Sequence, residues 1–274
     1  MSGATSSDDF SPCGVLTLTT DVGHKGPFIG TMKGQILRRL PQANIVDLTH
    51  ECSVHWPAEA GFWISRAYPY FPTGTVHVAV VDPGVGSSRE LILLLRDGHA
   101  FLGPDNGLLE PLCNDQVPWK AWRINQQSVA HVGLEHVSAT FHGRDLFAPL
   151  AAEIAAGRLL PRNVGTATRE LVPSILEAPE KIGASVHGVV VTVDHFGNLI
   201  SNIDQSLLES FSNPVVRTGG HEFPMLKTYG QVTPGEYLAL VNSFGVIEIA
   251  CAERSAADGL GLERGAPVVI TEAG

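Results

Sequence analysis

Cysteine is scarce, and its four copies, Cys13, Cys52, Cys113 and Cys251, lie far apart with no Cys-x-x-Cys pair. That spacing excludes a disulfide framework or a zinc knuckle and suits the cytoplasm. Long apolar runs are also missing. The longest, Val76 to Val81 and Leu91 to Leu95, are strand-sized, well short of the about 18 residues that span a bilayer. Positive charge is thin: 18 basic against 28 acidic residues give a net charge of −10, with no run of Lys and Arg. Such a surface repels phosphate backbones, so nucleic-acid binding is excluded as a general activity. No Gly-x-x-x-x-Gly-Lys loop occurs, and no Gly-x-Gly-x-x-Gly follows the first strand candidate, which leaves ATP hydrolysis and dinucleotide redox chemistry without motif support. Among eleven histidines there is no His-Glu-x-x-His; His131 and His136 are five apart, and His50 and His55 lack a third ligand nearby, so no metal is expected. Met1 to Pro12 has neither basic residues nor an apolar core and reads as a short disordered tail, not a secretory signal.

What is present is a globular composition, 44% hydrophobic over 274 residues, punctuated by 29 glycines and 18 prolines. Length alone gives a prior of about two domains. Val15 to Thr20, Asn44 to Leu48 and Val76 to Val81 read as strands, and the segments Ile29 to Leu40 and Ala58 to Tyr68 between them have helical spacing. This βαβαβ rhythm predicts a Rossmann-like, largely parallel sheet with helices on both faces, over residues 13–165. Leu91 to Leu95 and Ala100 to Leu102 add strands joined at Asp97-Gly98, and Asp145 to Ala156 is a further helix candidate. Arg158 to Ala184 has three prolines and no clean period, and the interdomain connection is set at 166–184. Beyond it, Gly188 to Val193, Val215 to Arg217, Tyr237 to Val241 and Gly245 to Ala250 are short strands between turn residues. They predict a small β-barrel over 185–274.

Four apolar strands end in aspartate: Asp21, Asp47, Asp82 and Asp194. In open parallel sheets ligands bind where strand carboxyl ends diverge into loops. Three of these acids lead into glycine-bearing loops, Val22-Gly23, Pro83-Gly-Val-Gly86 and His195-Phe-Gly-Asn198. Each also suits a turn or helix cap. Thr140-Phe-His-Gly-Arg-Asp145 precedes a helical pattern; its His142 suits a general base, a metal ligand or a core residue, and Asp145 an N-cap.

Together, Leu18-Thr-Thr-Asp-Val-Gly23, Val80-Val-Asp-Pro-Gly-Val-Gly86, Gly103-Pro-Asp-Asn-Gly-Leu-Leu109, Thr140-Phe-His-Gly-Arg-Asp145 and Asp194-His-Phe-Gly-Asn198 resemble the S-adenosyl-L-methionine (SAM) hydroxide adenosyltransferases, relatives of fluorinase and chlorinase. The resemblance covers nearly the whole chain. It implies an N-terminal α/β domain, a C-terminal β-barrel and a homotrimer that binds SAM between the first domain of one subunit and the second domain of its neighbour. It also implies attack of water or hydroxide on ribose C5′, giving adenosine and L-methionine, with SAM as substrate and no metal or cofactor. By resemblance, Asp82, Arg89 and His142 form a triad around the nucleophile and Asp21 holds the ribose hydroxyls. Trp56 lines the pocket, Asp194 accepts the methionine ammonium, and Phe196 and Asn198 contact adenine. Tyr229 stacks on the base, and Ser243 meets the methionine carboxylate.

The chain departs from that pattern in places. Phe244 stands where fluorinase has arginine, and Ser255-Ala-Ala257 replaces Asn-Ala-Ala. The halogenating relatives have other residues in place of Asp82 and His142, and fluorinase carries an insertion near Leu91 to Phe101 that is absent here. A carboxylate beside the nucleophile would repel halide, so Asp82 favours water. Either Asp82 is the base, or Arg89 and His142 stabilise hydroxide while Asp82 fixes them; the residues alone leave both open. Competing readings are a chlorinase-like halogenase, a non-catalytic SAM or adenosine binder, and a metal-dependent hydrolase using Asp21, Asp82 and His142.

Overall fold

The computed structural model describes residues 10–114, 116–125, 129–130 and 137–273. The histidines His131 and His136, and residues 1–9 of the expected tail, lie outside them. Phe10, inside that expected tail, packs against the first core. The chain divides into two units, one ending at Leu176 and the other beginning at Glu177.

In the first unit, β1 (Val15–Thr20), β2 (Asn44–Thr49), β3 (Val76–Val80) and β5 (His99–Pro104) are parallel neighbours, and β4 (Leu91–Arg96), β6 (Trp119–Ile124) and β7 (Gly165–Thr168) extend the sheet antiparallel in the order β2-β1-β3-β5-β4-β6-β7. The strands alternate side chains between faces. Leu91, Leu93 and Leu95 of β4 join one core with helices α1 (Phe28–Arg39) and α3 (Ala148–Ala155); Ile92 and Leu94 join the other with α2 (Pro57–Ala67). Both faces are covered there, which is why β4 is a nearly continuous apolar run. At Asp97-Gly98 both residues have positive φ, 51° and 73°, the turn that matches hairpin twist. The helix expected from Asp145 starts earlier, as a π-helical turn over Gly143–Phe147 that runs into α3.

The second unit is antiparallel. β8 (Glu180–Ile182), β9 (Ser185–Val193), β10 (Leu199–Asp204), β11 (Pro214–Thr218), β12 (His221–Pro224), β13 (Tyr237–Val241), β14 (Val246–Cys251) and β15 (Pro267–Glu272) follow the order β12-β11-β15-β9-β10-β14-β13, with β8 on β9. Just past β12, Met225 bridges Ala239 of β13 and the Leu226 N–H donates to the Ala239 carbonyl at 2.8 Å, so the sheet nearly closes into a barrel around Val190, Leu199, Ile247, Ile249 and Ile270. A short helix, α4 (Ala256–Leu260), follows β14 and is capped by Ser255. Within the 166–184 stretch, β7 belongs to the first sheet and β8 to the second.

Candidate active site

Strands β1 and β3 are paired up to Thr20 and Val80, so Asp21 and Asp82 leave the same edge of the sheet. The loop after β3 folds on itself: the Val85 N–H donates to the Asp82 carbonyl at 3.2 Å and the Ser87 N–H to the Gly84 carbonyl at 3.0 Å. Gly86 has a φ of +80°, and a Cβ there would lie 2.5 Å from the Ala139 carbonyl oxygen. Only glycine allows that approach, and it lays the loop carrying Arg89 against the segment carrying His142.

The Arg89 guanidinium then spans two partners. Its Nε lies 2.8 Å from each Asp82 carboxylate oxygen, a second nitrogen also bonds the carboxylate, and that nitrogen is 2.7 Å from His142 Nδ1. Asp82 and Arg89 side chains are almost fully buried, and the guanidinium lies over the Phe147 ring at 5.9 Å. Arginine has no acceptor and keeps its charge. His142 Nδ1 therefore accepts, and its proton sits on Nε2. Burial, then the Arg89 charge, holds the His142 pKa below the usual histidine value, against the opposing pull of Asp82 and Asp145. The ring is accordingly a neutral N–H donor. Asp82, with both oxygens on Arg89, is poorly placed to take a proton from water.

The neighbours of His142 have structural duties. Asp145 accepts the Ser138 N–H at 3.0 Å and pairs with Arg144 at 2.6 and 2.8 Å. Among the described residues no group of three metal-ligating side chains gathers.

Asp21 accepts the His55 N–H at 2.9 Å, with His55 in left-handed backbone at φ +62°. Strain of that kind persists only when surrounding contacts enforce it, and here they do. The Gly23 N–H donates to the His50 carbonyl at 2.8 Å, and Thr20 Oγ1 is 2.8 Å from Nδ1 of the buried His50. Trp56, half-buried, ends this braced loop as the residue before α2.

In the second unit, Phe196, Asn198 and Tyr229 line one pocket of 530 Å³ together with Cys251, Glu253, Arg254 and Ser255. Phe196 is 75% exposed, an apolar ring held at the surface. The loop is held by Asp194: Oδ1 accepts the Phe196 and Asn198 N–H groups, each at 2.9 Å, and Oδ2 accepts the Asn198 side-chain amide at 3.0 Å. Gly197, at φ +82°, lies so close to Ser255 that a Cβ would be 2.2 Å from its hydroxyl. Ser243 sits in the β13–β14 hairpin, whose turn is fixed by Asn242 Oδ1 accepting the Phe244 and Val246 N–H groups at 2.9 and 3.3 Å. The sequence reading missed Glu248, a buried carboxyl that accepts the Tyr229 hydroxyl at 2.5 Å. Its signal was an acid inside the apolar strand Val246-Ile-Glu-Ile-Ala-Cys251. Arg254 was missed too, as a loop residue with no motif of its own.

The sequence matches the model of the SAM hydroxide adenosyltransferase N-terminal domain over residues 16–165 and that of the C-terminal domain over residues 188–269. A protein from Thermus thermophilus named (R)-S-adenosyl-L-methionine hydrolase is 34% identical, over 91% of this chain and 96% of its own. One of the same name from Salinispora tropica is 35% identical over 95% and 99%. A fluorinase from Nocardia brasiliensis is more distant, at 27% identity over 71% of this chain and 73% of its own. Among solved structures, a conserved protein from Thermotoga maritima superposes with a TM-score of 0.82 at 34% identity, covering 94% of this chain and 99% of that one. The chain belongs to the SAM hydroxide adenosyltransferase family.

Proposed function

We propose that this enzyme hydrolyses SAM to adenosine and L-methionine, with Asp82, Arg89 and His142 around the nucleophile. The observation that carries the reading is Arg89 bridging the Asp82 carboxylate and His142 Nδ1. That bridge sets a neutral imidazole N–H and a buried cation beside each other, two donors suited to an oxygen nucleophile. In the reaction the water oxygen bonds to C5′ while the C5′–S pair of electrons goes to sulfur. The sulfonium becomes a neutral thioether, and the proton of the attacking water is released to solvent. No general acid or Lewis acid is needed for such a leaving group. The work of the site is to hold the oxygen in line behind C5′, and orientation of that kind contributes up to roughly 7–11 kcal/mol in favourable cases. Because His142 already carries its proton on Nε2 and Asp82 is engaged by Arg89, the triad orients and stabilises hydroxide instead of acting as its base.

For the substrate, Asp21 holds the ribose hydroxyls and Trp56 lines the pocket. Phe196, Asn198 and Tyr229 take the adenine, and Asp194 and Ser243 take the methionine ammonium and carboxylate. Asp194 is largely committed to its own loop, but its Oδ2 accepts one N–H and has a second lone pair. The active form is a homotrimer in which neighbouring subunits complete each site, and light scattering checks it. The enzyme works in the cytoplasm, a setting supported by four free cysteines; among the described residues no helix is long and apolar enough to cross a membrane.

The curated relatives are named for the (R) form. With the α-carbon specified as L, (R) refers to the sulfonium centre, and this enzyme is expected to prefer that epimer. Incubating pure protein with each epimer in chloride buffer containing EDTA, then separating the products, tests the reading. Adenosine and methionine from the (R) epimer support it. 5′-Chloro-5′-deoxyadenosine would make the enzyme a halogenase, binding without product would make it a sensor, and dependence on metal would revive a metallohydrolase.

A further inference from the structure

Strand β14 carries one charged-type residue among apolar neighbours, and Glu248 is only 3% exposed. Burying a carboxyl without partners costs free energy, so the position of its partners is informative. Glu248 Oε1 accepts the Tyr229 hydroxyl at 2.5 Å, and the Asn242 side chain supplies a further hydrogen bond. Burial holds the carboxyl pKa above the usual range, the nearby Asp194 charge adding to it against those two hydrogen bonds. Asn242 spends its own Oδ1 on the turn of the β13–β14 hairpin. Glu248 is therefore the buried point where the Tyr229 turn and the hairpin turn are tied to one strand.

Glu248 holds Tyr229 at the hydroxyl end of its ring. Tyr229 opens a short 3₁₀ turn, Tyr229–Gln231, capped by Thr228 and Gln231 through backbone and side-chain bonds that do not involve the ring. The ring is 45% exposed and forms a wall of the 530 Å³ pocket facing Phe196 and Asn198. Without a tether at its hydroxyl it would be free to swing about its side-chain torsions, and each stacking event would have to order it again. With the hydroxyl committed to Glu248, the ring offers the pocket its apolar face and no donor.

We propose that Glu248 is a positioning residue that clamps the Tyr229 ring as a preorganised wall of the base pocket, without touching the ligand itself. The inference rests on the SAM reading for the identity of the base. Adenosine binding measured by calorimetry tests it apart from turnover. Glu248→Met is expected to weaken adenosine about tenfold, within the range of one base–aromatic contact, and to raise the KM for SAM similarly while kcat stays within about twofold. Glu248→Gln, which keeps an acceptor for the hydroxyl, is expected to recover most of the affinity. Tyr229→Phe, which removes the tether while Asn242 still bonds Glu248, is expected to weaken adenosine at least about threefold, and Glu248→Met added to it to cost little more, because coupled residues are not additive. Unchanged affinity in Tyr229→Phe would overturn the clamp, and so would full additivity in the double variant. If Glu248→Met does not fold, Tyr229→Phe and Glu248→Gln decide the matter alone. Wild-type protein that binds adenosine yet leaves SAM intact would overturn the hydrolase reading and still leave the clamp testable.

Discussion

In the first unit, side chains are fixed by partners far away in sequence. Arg89 reaches 53 residues forward to His142, Asp21 is held by the backbone of His55, and Thr20 leans on His50. In the second unit, two of the loops gather their own backbone. Asp194 gathers the N–H groups of Phe196 and Asn198, and Asn242 those of Phe244 and Val246. The contrast follows from what each has to hold. Buried charges need opposite partners at fixed distances, and only converging strand ends supply those from several directions. A flat apolar ligand face needs a pocket of the right shape, which local turns can present. In the proposed reading the triad around the nucleophile lies in the first unit, and the adenine pocket in the second.

Substitutions should separate the two. The largest effect is expected from Asp82→Ala, which leaves Arg89 without its anion: kcat for SAM should fall about 10²–10³-fold with KM within a few-fold, measured by product chromatography. A rise in KM alone would erase the division. Next, His142→Ala should lower kcat about 100-fold, whereas His142→Gln, which can accept from Arg89 and still donate, should keep most of the rate. The pH profile sharpens this. Protonation would take Nδ1 away from Arg89, and because the His142 pKa is held below 6.5, the rate should stay flat through neutrality and fall only on the acid side of 6.5.

The units should also differ in acid. His77 and His99 lie buried in the first unit, 3.1 Å apart, with Thr17 2.8 Å from the other His77 nitrogen and Asp97 near His99. Burial, then the neighbouring His99, depresses the His77 pKa to about 3. A histidine held neutral in the folded state stabilises fully above its unfolded pKa and loses that contribution as pH falls from about 6.5 towards 3. Between pH 7 and pH 4 the first unit should therefore lose about 1–3 kcal/mol, read by denaturant melts, and His77→Gln should shrink that loss. The smallest expected effect is that of Phe196→Ala, a KM increase of about five- to tenfold with kcat unchanged. A matching loss of kcat would show that recognition and chemistry are not divided as described.

Much of this was legible in the chain. The strands β1 and β3 announce themselves because Val-Leu-Thr-Leu-Thr-Thr and Val-His-Val-Ala-Val are rich in β-branched residues and are buried on both faces. The acids at their ends mark the edge where the proposed triad lies. Other elements were hidden. Leu199-Ile-Ser-Asn-Ile-Asp204 is not among the strands expected from the sequence, yet it is strand β10, in which Ser201 bonds the Ile247 carbonyl at 2.7 Å and Asn202 bonds Val189 and Glu177. Those polar side chains look misplaced until neighbouring strands satisfy them. The edge strands β7 and β8 are short, polar and largely exposed, so they carry no periodic signal.

The sequence by itself determined which residue types are available to the proposed site. It supplied acids at strand ends, an arginine and a histidine in glycine-bearing loops, and aromatic rings in the second unit, and the order of these motifs identified the family resemblance. Tertiary structure alone decided their states. That Arg89 sits between Asp82 and His142 fixes which imidazole nitrogen carries the proton, and on that the proposed donor role of His142 rests. That Glu248 lies under Tyr229 turns an exposed ring into a fixed wall. Protonation and orientation depend on distances between segments remote in sequence, and those distances exist only once the sheet and the barrel have formed.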